Sequence, residues 1–255
     1  MSRLIVFGAT GSLGGHVLRE ALAAGHEITV VVRTPEKLPA EARTRVSLHK
    51  GDLSALGPGE VAELVRGQCA LINCAGLVTE GQRFVEIISL LVAGVEAMPA
   101  AARPVCWFLG GAAILDIDKS GRRGVELPLM KATYWPHQAN FERLSRSGLA
   151  WSLLCPGPMV EQPALGLNRL RVSLDRLPVH VPAFASALPG PLLLPVFARK
   201  IPEMIVPYAD AAALMLANLA RDGVMARHRV GLALPVGMRG KKDNWRARRR
   251  KSTPQ

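Results

Sequence analysis

Aromatic residues make up only 5% of the 255 residues, and the four cysteines, Cys69, Cys74, Cys106 and Cys155, show no CxxC spacing. A disulfide scaffold and a cysteine-based zinc site are therefore excluded. The cysteines lie mostly in apolar, strand-like runs and read as reduced thiols, so the expected compartment is the cytoplasm. The six histidines are scattered, with no HExxH and no Cys/His cluster, and no metal is expected. There is no GxSxG elbow and no GxxxxGKS loop, which removes the usual nucleophile and nucleotide-loop chemistries. No run of eighteen apolar residues occurs, so no transmembrane helix is expected. The first apolar run follows Arg3 directly, without a leader-like segment before it, so no cleaved leader is expected either.

Acidic residues are also in short supply, and the formal net charge is +12. Seven of those charges belong to residues 239–251, RGKKDNWRARRRK, where eight Lys/Arg meet one Asp. Such a block reads as a solvated, disordered tail. It suits weak attraction to phosphates or anionic surfaces, not a specific nucleic-acid site.

What the chain does have is concentrated in residues 3–33. Leu4 to Phe7 form a short apolar run suited to a buried strand. Gly8, Gly11 and Gly14 follow at three-residue spacing, and Leu13, Val17, Leu18, Ala21 and Leu22 then recur with helical period. Gly25 stops that helix, and Ile28 to Val32 form a second apolar, β-branched run. Strand, glycine turn, helix and strand are the first half of a dinucleotide-binding fold. Bare glycine backbone lets a pyrophosphate approach, and the helix N-terminus offers it N–H groups and partial positive charge. Thr10 and Ser12 add hydroxyls.

The spacing is GxxGxxG, and the segment GATGSLG resembles the opening of the extended and atypical short-chain dehydrogenase/reductase superfamily. Arg33 ends the second strand nineteen residues after Gly14. An acidic residue there would accept from the ribose 2′-hydroxyl of NAD, whereas an arginine suits the 2′-phosphate of NADP. NADP (NADPH) is accordingly the expected cofactor. The resemblance assigns Gly8, Thr10, Gly11, Ser12, Leu13 and Gly14 to the pyrophosphate turn. It assigns Asp52 to the adenine amino group and Leu53 to apolar contact with the ring. Asp52 also reads as a helix N-cap, and the two roles are compatible. The run Ala70 to Gly76 resembles the superfamily's NAG or CAG stretch, which puts Cys74, Ala75 and Gly76 against the cofactor.

Further along, Val61–Val65 and residues 83–97 read as helices, Val105 to Leu109 as a fifth strand, and residues 134–147 as a helix. Leu149 to Cys155 form a sixth strand closed by Pro156-Gly157-Pro158-Met159. That turn resembles the superfamily's RPG turn, with Cys155 in place of the arginine. Residues 160–207 are rich in proline and apolar side chains. They read as a substrate-side region of loops and short helices over the cofactor; the apolar content equally suits a pocket wall, a homodimer contact or core packing. Tyr208 to Ala220 reads as a helix with Asp210 complementing its dipole, and residues 229–236 as a last strand.

Classical members of the superfamily use a Ser and a Tyr-x-x-x-Lys pair. Here Tyr134 stands four residues before Gln138, which can hydrogen-bond a ribose but carries no charge to depress a phenol pKa from about 10. The serine is absent too, since the turn after the fifth strand is Gly110-Gly111-Ala112-Ala113. His137 is a second candidate catalytic residue, as a proton donor near neutral pH; a surface or ribose-contacting role is the alternative. His16 reads as a helix residue without chemistry. The incomplete apparatus, together with the GGAA turn, resembles the NADH-flavin reductase-like and biliverdin reductase B-like branch.

The expectation is thus an α/β, doubly wound, mainly parallel sheet: a single Rossmann domain over residues 1–238 with 160–207 as a substrate-side insertion. The implied function is an NADPH-dependent reductase passing hydride to a small conjugated acceptor such as a flavin or quinone. A redox sensor of the NmrA-like type, binding NADP without turnover, is the alternative. A third reading, an isomerase or epimerase using the cofactor transiently, rests on Tyr134 alone.

Overall fold

A computed structural model describes residues 1–241; the charge block from Lys242 onward lies outside the described residues. The first strand, β1 (Arg3–Phe7), is buried from Leu4 on. Its period of two splits it between two layers. Ile5 and Phe7 face α3 (Pro58–Val65), α4 (Gln82–Glu96) and α5 (Met130–Ser145). Leu4 and Val6 face α1 (Ser12–Ala23) and α7 (Tyr208–Ala217). Burial on both faces is why the run reads as continuously apolar instead of alternating.

Around β1 the strands β2 (Glu27–Val32), β3 (Ser47–Lys50), β4 (Ala70–Asn73), β5 (Val105–Leu109), β6 (Ala150–Cys155), β8 (Arg171–Leu174) and β10 (Arg229–Ala233) form one sheet. Their order is β3-β2-β1-β4-β5-β6-β10-β8. Every pairing is parallel except that of β8 with β10. The doubly wound α/β Rossmann architecture is as expected. The order reverses at β1, between β2 and β4, and that switch point opens a crevice at the strands' C-terminal ends.

Residues 160–207 do more than cover the sheet. β7 (Met159–Val160) and β9 (Val206–Pro207) pair into a separate two-stranded ribbon, and β8 supplies the main sheet's antiparallel edge. The helix α6 (Gly190–Lys200) buries Leu193 and Phe197. A charged knot fixes this edge to the rest. The buried Arg229 guanidinium reaches Asp116 at 2.9 Å, Asp175 at 3.2 Å and the Ile114 carbonyl at 2.6 Å. A short helix, α2 (Ala40–Arg43), completes the set.

Helix boundaries differ from the sequence reading by up to four residues, and at α5 and α7 the reason is visible. α5 starts at Met130, four residues before the expected start, from Leu129 in the left-handed region (φ 66°). Pro136 sits inside it, lacking the N–H that would bond back to the preceding turn; that proline hides the helical pattern upstream. α7 ends at Ala217, because Asn218 leaves helical geometry (φ −128°, ψ 63°) and its carbonyl accepts from Trp107 Nε1 at 2.8 Å. Asp210 is buried, and its carboxylate accepts the Leu165 and Gly166 N–H groups at 2.8 and 2.9 Å. It tethers the loop after β7, a long-range duty that its place in the first turn of α7 does not reveal. Among the described residues no helix is long and apolar enough to cross a membrane.

Candidate functional site

The crevice at the switch point is a cleft of about 300 Å³. Its floor is made by turns that tolerate no side chain. Gly8 has φ +76°, and a Cβ there would lie 2.6 Å from the Ala75 nitrogen. A Cβ on Gly14 would lie 2.1 Å from the Gly8 carbonyl oxygen, so this glycine is what lets α1 sit on the turn. Gly76 has φ +97° and would strike the Phe84 ring at 2.3 Å. Gly11 differs: a Cβ would meet only the Gly8 oxygen, at 3.3 Å. Gly11 caps α1 and lines the cleft. The space a side chain would fill there belongs to the cleft, as close approach of a phosphate requires.

Thr10, Gly11, Arg33, Asp52, Leu53, Cys74, Ala75 and Gly76 all line this cleft with Gly8. Ser12, Leu13 and Gly14 do not form its wall. Ser12 is exposed, Leu13 is in the core and Gly14 is packed on Gly8, so these three offer backbone N–H groups of the first helical turn. The Asp52 carboxylate accepts from Ser54 N–H at 3.0 Å and Ser54 Oγ at 2.8 Å. Those bonds, with Arg33 and Arg83 nearby, hold it below the usual carboxylate range. Arg33 and Arg83 approach Asp52 at 3.9 and 3.8 Å. Arg83 is a cleft residue that the sequence pattern does not reveal. It stands in the first turn of α4, and only the return of the β4–α4 loop over the cleft brings it beside Arg33. Burial pushes the Cys74 thiol up to about 12, so it is a neutral wall atom.

Gly76 and Leu77 line this cleft and also a second cavity of about 480 Å³. Tyr134 and His137 line the second cavity, together with Phe84, Met130, Met159 and Phe197. Gly111, after β5, makes room for His137: a Cβ there would lie 2.9 Å from its Nε2. The His137 ring stands edge-on to Phe84 (5.6 Å, 89°) and nearly parallel to Tyr134 (6.3 Å, 17°). Burial pulls its pKa down to about 4, and Nδ1 is buried without a partner. Burial disfavours the imidazolium here, and the neutral ring offers one N–H and one lone pair.

Gln138 is not brought to either space. Its Oε1 accepts from Arg123 at 3.1 Å and its Nε2 donates to Glu142 at 2.9 Å. One turn of helix separates it from Tyr134, but Arg123 and Glu142 hold its amide elsewhere. Cys155 is fully buried, with Sγ 3.3 Å from the Leu153 carbonyl, beneath the turn instead of on the cavity wall. His16 is buried on α1, with Nε2 2.8 Å from Glu161 and its ring 6.0 Å from that of Tyr208. Among the described residues no group of His, Cys, Asp and Glu could hold a metal ion.

The fold is shared with many solved structures. One is a candidate NADH-flavin reductase from Streptococcus pneumoniae, 20% identical with TM-score 0.65 over 92% of this chain and 100% of that one. Another is ChuY, an anaerobillin reductase from Escherichia coli O157:H7, 16% identical with TM-score 0.63 over 92% and 98%. A short-chain dehydrogenase/reductase from Veillonella parvula is 15% identical with TM-score 0.64 over 96% and 100%. Residues 8–177, which carry the glycine turn, the switch-point cleft and the edge strand β8, match the family model described as NAD(P)H-binding, and the chain belongs to that family.

Proposed function

We propose that the chain is an NADPH-dependent reductase, a single-domain cytoplasmic enzyme that delivers hydride to a small conjugated acceptor such as a flavin, a quinone or a related carbonyl compound. What supports this above all is the shared wall: Gly76 and Leu77 border both the switch-point cleft and the second cavity. A dinucleotide lying along the first would present its nicotinamide to the second. Fold neighbours that are named as reductases support it as well.

In this reading Arg33 and Arg83 take the 2′-phosphate, with charge-assisted bonds that NAD could not accept. Asp52 and Leu53 border the adenine. Thr10, Gly11 and the N–H groups of Ser12, Leu13 and Gly14 hold the pyrophosphate. The backbone at Cys74, Ala75 and Gly76 lies along the ribose and nicotinamide. Bound NADPH supplies the hydride. Tyr134 and His137 hydrogen-bond the acceptor and orient it, and the apolar wall excludes water; proximity and orientation are then most of the catalysis.

A second reading, an NADP-binding sensor without turnover, is favoured by one observation: no Lys or Arg lines the cavity beside Tyr134 among the described residues. The test is NADPH oxidation by purified protein against FMN, riboflavin, naphthoquinone and biliverdin, each with a no-enzyme blank. Saturable turnover with any acceptor establishes the reductase. Tight NADPH binding with no turnover across the panel favours the sensor, or an enzyme whose substrate lies outside these acceptors, and removes flavin and quinone reduction.

A further inference from the structure

We infer that the second cavity is a binding site for an uncharged, ring-shaped carbonyl compound and selects against anionic compounds of the same ring. For its reaction this rests on the reductase reading, but for its binding it does not.

The wall carries no Asp, Glu, Lys or Arg among the described residues, whereas the adjoining cleft carries Arg33, Asp52, Glu80 and Arg83. The cations nearest to wall residues along the chain are turned elsewhere, committed or solvated. Arg83, beside Phe84, lines the adjoining cleft and lies 3.8 Å from Asp52. Lys200, beside Ile201, lies 3.1 Å from Glu203; Lys131, beside Met130, is exposed. Arg123 lies 3.5 Å from Asp116. A phosphate, carboxylate or sulfonate drawn into this cavity would lose water and meet no counter-charge. The surfaces of Phe84, Phe197, Met130 and Met159 suit the faces and edges of a flat ring.

The polar side chains on the wall are those of Tyr134, His137 and Tyr208. His137 is only 7% exposed, and the bare backbone of Gly111 leaves room beside its Nε2. A neutral imidazole donates one hydrogen bond, which a carbonyl oxygen accepts. The volume of about 480 Å³ is in the range of small-molecule sites. Reduction of a quinone there takes one hydride from the reduced nicotinamide and one proton from water, and leaves hydroquinone and oxidised nicotinamide.

Two matched pairs test this with the full chain and NADP⁺ present. Riboflavin and FMN share a ring and differ by a phosphate; 1,4-naphthoquinone and its 2-sulfonate differ by a sulfonate. Flavin binding is read by fluorescence quenching and quinone binding by calorimetry. The neutral member of each pair should bind at least about tenfold more tightly, a difference of one decade in Kd. Equal binding, preference for the anion, or no binding by either member overturns the inference. Turnover is scored separately: neutral-selective binding without NADPH oxidation leaves the inference standing and removes the reductase reading. Met159→Lys should narrow or reverse the riboflavin preference; Ile201→Lys, on another part of the wall, serves the same purpose should the first variant not fold. An unchanged preference in a folded variant also overturns it.

Discussion

The two spaces that meet at Gly76 and Leu77 are built on opposite plans. The switch-point cleft is made of backbone and charge: glycine turns that admit no Cβ, a helix N-terminus, and Arg33 and Arg83 facing Asp52. The second cavity is made of side chains without charge, and it keeps even its histidine neutral. A cleft of the first kind recognises one anionic molecule by fixed geometry. A cavity of the second kind would select by shape and lack of charge, as proposed above. The contrast explains why one end of the site is written in a short motif and the other is not.

The sharpest way to break the contrast is at the glycines. Gly14→Val places atoms within 2.1 Å of backbone oxygen and should destabilise the fold by several kcal/mol, visible as a large fall in Tm. Gly11→Val meets only one atom, at 3.3 Å, and should leave Tm nearly unchanged while abolishing NADPH and NADH binding alike. A Gly11→Val protein that still binds either cofactor tightly would refute the phosphate turn.

The next effect concerns pH. The folded pKa of His137 is lowered to about 4 from an ordinary 6.5, so it adds no pH dependence to stability above pH 6.5, where both states are neutral. Stability should fall as pH drops from 6.5 towards 4, by on the order of 3 kcal/mol from this group. In His137→Phe that part of the acid sensitivity should vanish, which denaturant midpoints at pH 7 and pH 4 would measure. Equal acid sensitivity in the two proteins would mean that the imidazole is not sealed in the wall.

A smaller effect separates the cofactors. Arg33→Ala should weaken NADPH by about tenfold and NADH hardly at all, with Arg83→Ala acting in the same direction. Equal losses would remove the 2′-phosphate assignment. Smallest of all, Gln138→Ala should leave NADPH affinity within about twofold, since Arg123 and Glu142 hold that amide away from both spaces.

The same contrast governs what the sequence makes legible. The strand, glycine turn, helix and second strand are local and periodic, so residues 3–33 declare the fold and the switch-point cleft by themselves. Arg33 is legible because it follows the second strand directly. Arg83 is not, because only the loop returning over the cleft brings it there. The wall of the second cavity is assembled from α4, α5, α6 and the turns after β5 and β6, and no short pattern marks such a meeting. Tyr134 and His137 are found through a resemblance, yet the neutrality of His137 follows only from burial among Phe84 and its neighbours. Gln138 misleads for the same reason: helical spacing puts it one turn from Tyr134, and partners distant in sequence take its side chain elsewhere.

The most direct test of the account is a crystal structure with NADP⁺ bound. The 2′-phosphate should lie between Arg33 and Arg83, the pyrophosphate over Gly11, and the nicotinamide past Gly76 at the mouth of the second cavity, within van der Waals reach of Leu77. A nicotinamide directed into solvent, or a dinucleotide lying outside the switch-point cleft, would contradict it.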